Sequence, residues 1–326
     1  LATLAQLKLA MILPNLLLGI IFAAFLAVIM FILQPNMMWV AFVLAAIFIL
    51  IQYLIGPAIV RASTRLRYLK SGENPWLEST VNELAQKSGI PTPKLAIVPN
   101  PTPNAFVFGR TSSDATLALH EGLLQQLDQN EVKGVIGHEL GHIRHKDFLI
   151  MTALSSLPLL AYLIFRVAFE TAWVSGRTTS RKKEGGAGLA AALFVVSILS
   201  YIVYIVALIC VMRLSRLREH YADAYSAYVT GEPRQLESAL TKITYGLSLA
   251  PNPEREGART LYIGDPALAK LEVQGIISKK EQYDLDKDGV LDERELELAM
   301  EKEAKSRWLT VNRWFQTHPA TFQRVL

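Results

Sequence analysis

The chain has 326 residues, 51% hydrophobic and 19% charged, with a net charge of +4 and a mean hydropathy of +0.27. It is long enough for a sizeable core and too apolar for an ordinary soluble domain, and the excess is gathered into four blocks. The basic residues lie beside those blocks with no aromatic-interleaved or zinc-finger pattern, which excludes a nucleic-acid partner, and the single cysteine, Cys210, excludes an intrachain disulfide.

From the amino terminus, residues 11–33 and 37–60 carry no charge, and each is long enough to cross a hydrocarbon core as a helix of roughly 20 residues. Only Gln34, Pro35 and Asn36 separate them, so they are expected to form a helical hairpin. The first block has no small-residue cleavage site and the second follows at once, which argues for a span rather than a cleaved leader. Arg61, Arg65, Arg67 and Lys70 then place this end of the hairpin on the cytoplasmic side.

From Leu77 to Lys146 the pattern is that of a soluble domain. WLESTVNELAQKSG predicts an amphipathic helix stopped by Gly89. PKLAIVPN and NAFVFGR predict short strands bounded by proline, asparagine and glycine. DATLALHEGLLQQLD predicts a strand that turns helical near Gly122, and Asn130 is the expected N-cap of a helix from Glu131 to His145. Residues 148–173 are a third apolar block, broken by Pro158 and carrying Arg166 and Glu170 at i,i+4 spacing. Residues 189–212 are a fourth, cleaner span. Arg213, Arg216 and Arg218 after it again mark the cytoplasmic side. With four spans, the loop holding Arg177, Arg181, Lys182 and Lys183 faces outward against the same rule, a conflict the sequence leaves open.

Within GVIGHELGHIRHKDF, three of the six histidines fall inside eight positions. His138 and His142, four apart on a helix, share one face and can present two imidazoles to one zinc ion. Glu139, one helical step round, is placed to take a proton from water in the open coordination position. In RLREHYADAY, Glu219 and Asp223 repeat the spacing. Glu219 can complete a His/His/Glu site, and Asp223 can hydrogen-bond a ligand histidine and fix its tautomer. The plain alternative for either pair is a solvated polar helix. A third histidine ligand is disfavoured, because the metzincin spacing needs histidine where the chain has Phe148. His145 is expected to be a polar residue at the membrane boundary, and His120 and His220 are given the same reading.

HELGH, then EHYAD after the apolar blocks, with NAFVFG before them and HP near the end, resembles the HtpX-like membrane zinc metalloproteases. These are gluzincins related to the type I CAAX prenyl proteases. The resemblance implies His138, His142 and Glu219 as zinc ligands, Glu139 as general base and Asp223 as support for a ligand histidine. It implies that Asn104, Ala105 and Phe106 lie on an edge strand that holds substrate extended. It also implies that His318, in THPA, stabilises the oxyanion, and Arg324, in FQRVL, is placed in the same motif.

DLDKDGVLDERE, residues 284–295, fits a twelve-residue EF-hand loop. Asp284, Asp286, Asp288, Val290, Asp292 and Glu295 stand at the ligand positions and Gly289 at the turn. PALAKLEVQGIISKKEQY and RELELAMEKEAK predict the flanking helices. This insertion, at about residues 265–305, departs from the HtpX-like pattern, and calcium there is expected to act as a structural staple.

The expected fold is a mainly α multi-pass membrane protein of about four transmembrane helices with an α+β gluzincin-type protease domain. Residues 1–60 form the hairpin, 61–147 the first part of the protease domain, 148–213 a membrane helix pair, and 214–326 the second part. The expected function is a zinc metalloendopeptidase in the inner (plasma) membrane, facing the cytoplasm. Its cofactors are zinc and calcium, and its partners are the lipid bilayer and polypeptide substrates that are membrane or misfolded proteins. The rivals are a CAAX prenyl protease, which has more spans, and a non-catalytic calcium-binding membrane adaptor, for which Glu139 has no use.

Overall fold

The structure, a computed structural model, describes residues 38–178, 186–249, 262–264, 266–287 and 318–321, with Ile20, Phe25, Glu295, Leu298, Ala299, Lys302 and Arg324 as single positions. The elements in chain order are α1 (Met38–Thr64), β1 (Arg67–Tyr68), α2 (Pro75–Ser88), β2 (Lys94–Val98), β3 (Ala105–Phe108), β4 (Thr116–His120) and α3 (Glu121–Gln126). They continue with α4 (Gln129–Arg144), α5 (Asp147–Thr178), α6 (Gly186–Thr230), α7 (Pro233–Ser248), α8 (Pro266–Ser278) and α9 (Lys280–Tyr283). The chain divides into two units, one drawn from Gly56–Leu149 and Ser215–Leu326, the other from Leu9–Ile55 and Ile150–Leu214.

The first unit is built around a four-stranded sheet of order β1-β2-β4-β3, with β2 and β4 parallel and both outer strands antiparallel. Every residue of β4 is buried, as befits a strand covered on both faces. Ala96, Val98, Phe106, Phe108 and Ala118 form one apolar face, packed against Val60 and Leu66. The His120 N–H donates to the Asn104 carbonyl at 2.9 Å, which sets the phase of the β3–β4 ladder. Asn104 and Phe106 therefore turn their backbone groups toward β4, and Ala105 and Val107 turn theirs to the outer edge.

Helix ends follow local chemistry. Asn74 caps α2 by accepting from the Leu77 N–H, Pro75 opens the helix, and Gly89 ends it at φ 62°, as the sequence predicts. For α4 the sequence reading needs correction. The N-cap is Asp128, not Asn130. Its carboxylate accepts from the N–H groups of Asn130 and Glu131, and Glu131 accepts from the Asp128 N–H, a reciprocal capping box. Glu131 also accepts from Ser238 Oγ and Lys242 Nζ, each at 2.5 Å, tying the start of α4 to α7. The strand before Gly122 and the two strands around residues 94–108 form where expected.

In the second unit the third and fourth apolar blocks are helical. Leu154–Ser175 and Ala190–Thr230 are the two described helical stretches long and apolar enough to cross a membrane. The second apolar block is helical as α1, whereas most of the first lies outside the described residues, as do Arg181, Lys182 and Lys183. Val167, Val174, Ile202 and Phe194 are exposed, an apolar surface suited to lipid. Between the two stretches, Phe165 meets Tyr201 at 5.1 Å and Tyr162 meets Tyr204 at 5.4 Å. Ser156 donates to Gln52 Oε1 at 2.6 Å, so a polar group within the apolar helices has its partner. Arg166 and Glu170 form the expected i,i+4 pair.

His120, read from the sequence as an ordinary polar residue, is 3% exposed. Its Nδ1 donates to the Thr102 carbonyl at 2.8 Å, and its ring stands edge-on to Phe106 and Tyr262. Burial pushes its pKa down to about 4, so the folded chain keeps it neutral where an unfolded chain, at 6.5, binds a proton. Stability is therefore whole above pH 6.5 and falls as the pH drops toward 4, by about 3 kcal/mol from this group. Thermal unfolding in detergent at pH 7 and 4.5 should show a smaller acid loss for His120→Gln, which keeps a donor for Thr102, than for the parent. An equal loss in both would remove His120 from the account.

Candidate metal centre

The centre forms where α4 and α6 approach closely, and glycine permits the approach. A Cβ at Gly137 would lie 3.0 Å from Ser226 Oγ, and one at Gly141 would lie 3.2 Å from the Ala222 Cα. At Gly134 it would meet the Leu236 backbone N of α7 at 2.8 Å. Ser226 Oγ donates to the Gly134 carbonyl at 2.6 Å, pinning α6 to α4. These glycines at i, i+3 and i+7 make one face of α4, and the histidines of HELGH project beside it.

His138 and His142 come together with Glu219, as the spacing predicts. Their Nε2 atoms are 3.1 Å apart, and Glu219 places Oε2 3.7 Å from His138 Nε2 and Oε1 3.6 Å from His142 Nε2. Ligands about 2.0–2.1 Å from a tetrahedral zinc lie roughly 3.3 Å from one another, so the donor spacing suits that ion. The outer ring nitrogens are occupied. His138 Nδ1 is 2.9 Å from Asp223 Oδ1, as expected, and His142 Nδ1 is 2.7 Å from Asp147 Oδ2. With each Nδ1–H given to a carboxylate, two Nε2 lone pairs face each other, which is repulsive unless a cation lies between them.

Charge makes the same demand. Glu139, Asp147, Glu219 and Asp223 are four buried or nearly buried carboxylates, against the two guanidinium groups of Arg218 and Arg324. With neutral imidazoles these groups leave two negative charges, which a zinc dication would cancel. The excess shows in His142. Burial opposes a charge on the ring, but the hydrogen bond to Asp147 and the carboxylates of Glu219 and Glu139 outweigh it and push the pKa up to about 9. Burial also pushes the Glu139 carboxyl upward, against the pull of His142 and His138, while Glu219 adds to the rise.

The carboxyl-terminal segment reaches the same centre. His318 is 6% exposed, with Nδ1 3.7 Å from Glu219 Oε2. Arg324 donates to both oxygens of Asp223, at 3.0 and 2.7 Å, and to the Ile263 carbonyl, and lies 3.5 Å from Glu219 Oε2. Asn104 is buried at the start of β3, but its Oδ1 accepts from the Ile263 N–H at 2.9 Å. That bond positions the 262–264 segment. Ala105 turns its backbone away from β4 but is itself buried, at 1% exposure, Phe106 buries its ring and pairs with Ala118 of β4, and Val107 is the residue of β3 that is part-exposed.

His145 is the C-cap of α4, with Nδ1 2.8 Å from the Gly141 carbonyl and its ring 3.9 Å from that of Tyr221. It turns away from the centre, as the choice of Glu219 requires. Two contributors escaped the sequence reading, Asp147 and Arg218. Asp147 falls five positions after His142, about 140° round a continuous helix and so on the wrong face. Only the break at His145 and Lys146, where Lys146 takes φ 56°, brings it back beneath the ring. The signal that could have found it is the close of HIRHKD, a helix end followed by an acidic helix start.

Away from this centre, Asp284, Asp286 and Glu295 bring their carboxylate oxygens within 4.8 Å of one another. Glu295 is buried and accepts from the N–H groups of Leu285, at 2.5 Å, and Asp286, at 3.3 Å. Asp288, Val290 and Asp292 lie outside the described residues. The expected flanking helices appear as α8 and α9 before the loop and as helical Glu295, Leu298, Ala299 and Lys302 after it.

Comparison with known proteins agrees with this geometry. The peptidase family M48 pattern matches residues 71–326. The protease HtpX homolog of Methanothermobacter thermautotrophicus is 38% identical over 200 residues, covering 61% of this chain and 71% of that protein. That of Thermococcus kodakarensis is 35% identical over 239 residues, covering 73% of this chain and 77% of that protein. The crystal structure of S. mikatae Ste24p superposes with a TM-score of 0.51 at 17% identity, across 98% of this chain and 65% of that one. At that identity the likeness is one of fold, and this chain spans just under two thirds of Ste24p.

Proposed function

This chain belongs to peptidase family M48 and is a membrane metalloprotease, and from that premise we propose that His138, His142 and Glu219 hold its zinc and Glu139 is its general base. The convergence of two Nε2 lone pairs and a carboxylate inside 3.7 Å carries the reading. Zinc held there supplies Lewis acidity, which polarises the scissile carbonyl and eases the deprotonation of water. Glu139 takes the proton of the attacking water and passes it to the leaving amine. Its raised pKa suits a group that must both accept and return a proton. His318, beside Glu219, donates to the carbonyl oxygen as negative charge builds on it. Asp223, backed by Arg324, holds His138 in the tautomer that keeps Nε2 for the metal.

We assign the substrates as membrane or misfolded proteins, met at the cytoplasmic face of a cell's inner membrane. Two apolar helical stretches, and the arginines Arg213, Arg216 and Arg218 that come after the apolar residues 189–212 of the second, support that placement. The outward backbone groups of the part-exposed Val107 would take an extended polypeptide as an added strand beside Ala105 and Phe106, which presents a peptide bond without reading its side chains. In the same reading, the 284–295 loop binds calcium as a staple for its helices, supported by the three convergent carboxylates and the spacing of the loop.

Three outcomes check these roles. Purified zinc-loaded protein in detergent should cleave casein, and Glu139→Gln should lose roughly 10²–10⁴-fold while keeping its zinc. Equal cleavage by both would point to a contaminating protease, and cleavage restricted to prenylated peptides would move the substrate class. Val107→Pro removes an N–H aimed at the edge without touching the ladder to β4, so it should lower kcat/KM for casein about tenfold with zinc retained. An unchanged kcat/KM would remove strand addition. Calcium should raise the midpoint of thermal unfolding of the parent but not of Asp284→Asn, and no rise in the parent would leave the loop a solvated acidic turn.

A further inference from the structure

The proposed zinc site uses Asp223 and Arg324 to orient His138, and the fold holds a second pair of the same kind. Asp147 is 8% exposed and stands at the first position of α5, where the helix dipole favours a carboxylate. One oxygen, Oδ2, is 2.7 Å from His142 Nδ1, and the other, Oδ1, accepts from Arg218 Nη2. Arg218, itself 6% exposed, also reaches the His145 carbonyl with Nη2 at 3.5 Å. We propose that Asp147, held by Arg218, is the positioning residue for His142, so that the site has one arginine-backed carboxylate for each of its histidines.

The argument is one of tautomer and angle. A neutral imidazole has one N–H and one lone pair, and a ring that donates Nδ1–H to Asp147 must keep its lone pair on Nε2, facing His138. Without Asp147 the ring is free to turn or to exchange tautomers, and part of the population would offer the metal an N–H. Arg218 has a distinct task. Its Nη2 binds Oδ1 and leaves Oδ2 for His142, so the guanidinium fixes the plane of the carboxylate and with it the direction in which His142 Nδ1–H must point. Neither residue touches substrate, so their effect passes through His142.

This inference rests on the zinc reading of the site, and the test separates the two. Full-length protein in detergent, loaded with zinc, is challenged with excess chelator, and release of the ion is followed with time. The cobalt(II) form is examined by visible absorption, which reports ligand geometry, and metal-free protein is unfolded thermally. Asp147→Asn should release zinc roughly 10- to 100-fold faster and shift the cobalt bands, with metal-free unfolding close to the parent. Arg218→Gln should move the same readouts in the same direction, and serves as the probe if Asp147→Asn does not fold. Release rates and cobalt bands equal to the parent's in the variants would overturn the role of Asp147 while leaving the zinc site intact. So would faster release that simply follows a loss of metal-free stability. A parent that binds no zinc would overturn the site itself and the inference with it.

Discussion

Two imidazoles whose Nε2 atoms face each other at 3.1 Å, with a carboxylate beside both, are the constraint on which the rest of the centre depends. The arrangement is costly in isolation, and the surrounding structure enforces it from outside. Asp223 and Asp147 claim the outer nitrogens, Arg324 and Arg218 pair with those carboxylates, and Glu219 approaches both rings from α6. The buried network is therefore satisfied at its periphery and left short of positive charge at its middle. Such a network specifies geometry, since each member sets the orientation of its neighbour.

The three convergent donors, our proposed zinc ligands, were legible because each pair lies within one helix, where spacing alone fixes the face. His138 with His142, and Glu219 with Asp223, need no tertiary information beyond the meeting of two helices. The reading failed where a helix ends. Asn130 is a good cap by residue type, but Asp128 wins because Glu131 can answer it, and that depends on where the first turn begins. Asp147 was invisible for the same reason, as its place under His142 is made by the turn at Lys146. Arg218 had a second use that charge counting does not reveal. Read as one of three arginines flanking a span, it is also buried on Asp147, so a topological charge can serve a site as well.

The sheet was legible as strands but not in its use. The alternation of NAFVFG predicts a strand, whereas which backbone groups face outward follows from the single bond between His120 and Asn104. Likewise the sequence separates the fourth apolar block from the helix that carries Glu219, and the structure makes them one element, α6, from Gly186 to Thr230. Helical periodicity gave both pieces correctly. What it lacked was a breaker between Met212 and Arg216, and the absence of one was the signal.

The glycine face of α4 has a consequence for the life of the protein before it is folded. Gly134, Gly137 and Gly141 each cost a helix about 1 kcal/mol relative to alanine, so this segment has little helicity of its own. It becomes a helix by docking on Ser226, Ala222 and Leu236, residues synthesised long after it. Until they emerge, the two histidines have no common face, no carboxylate from α6 and no hold on a metal. A growing chain thus carries these groups through synthesis as an unassembled set, and the site is complete only once α6 has docked on α4.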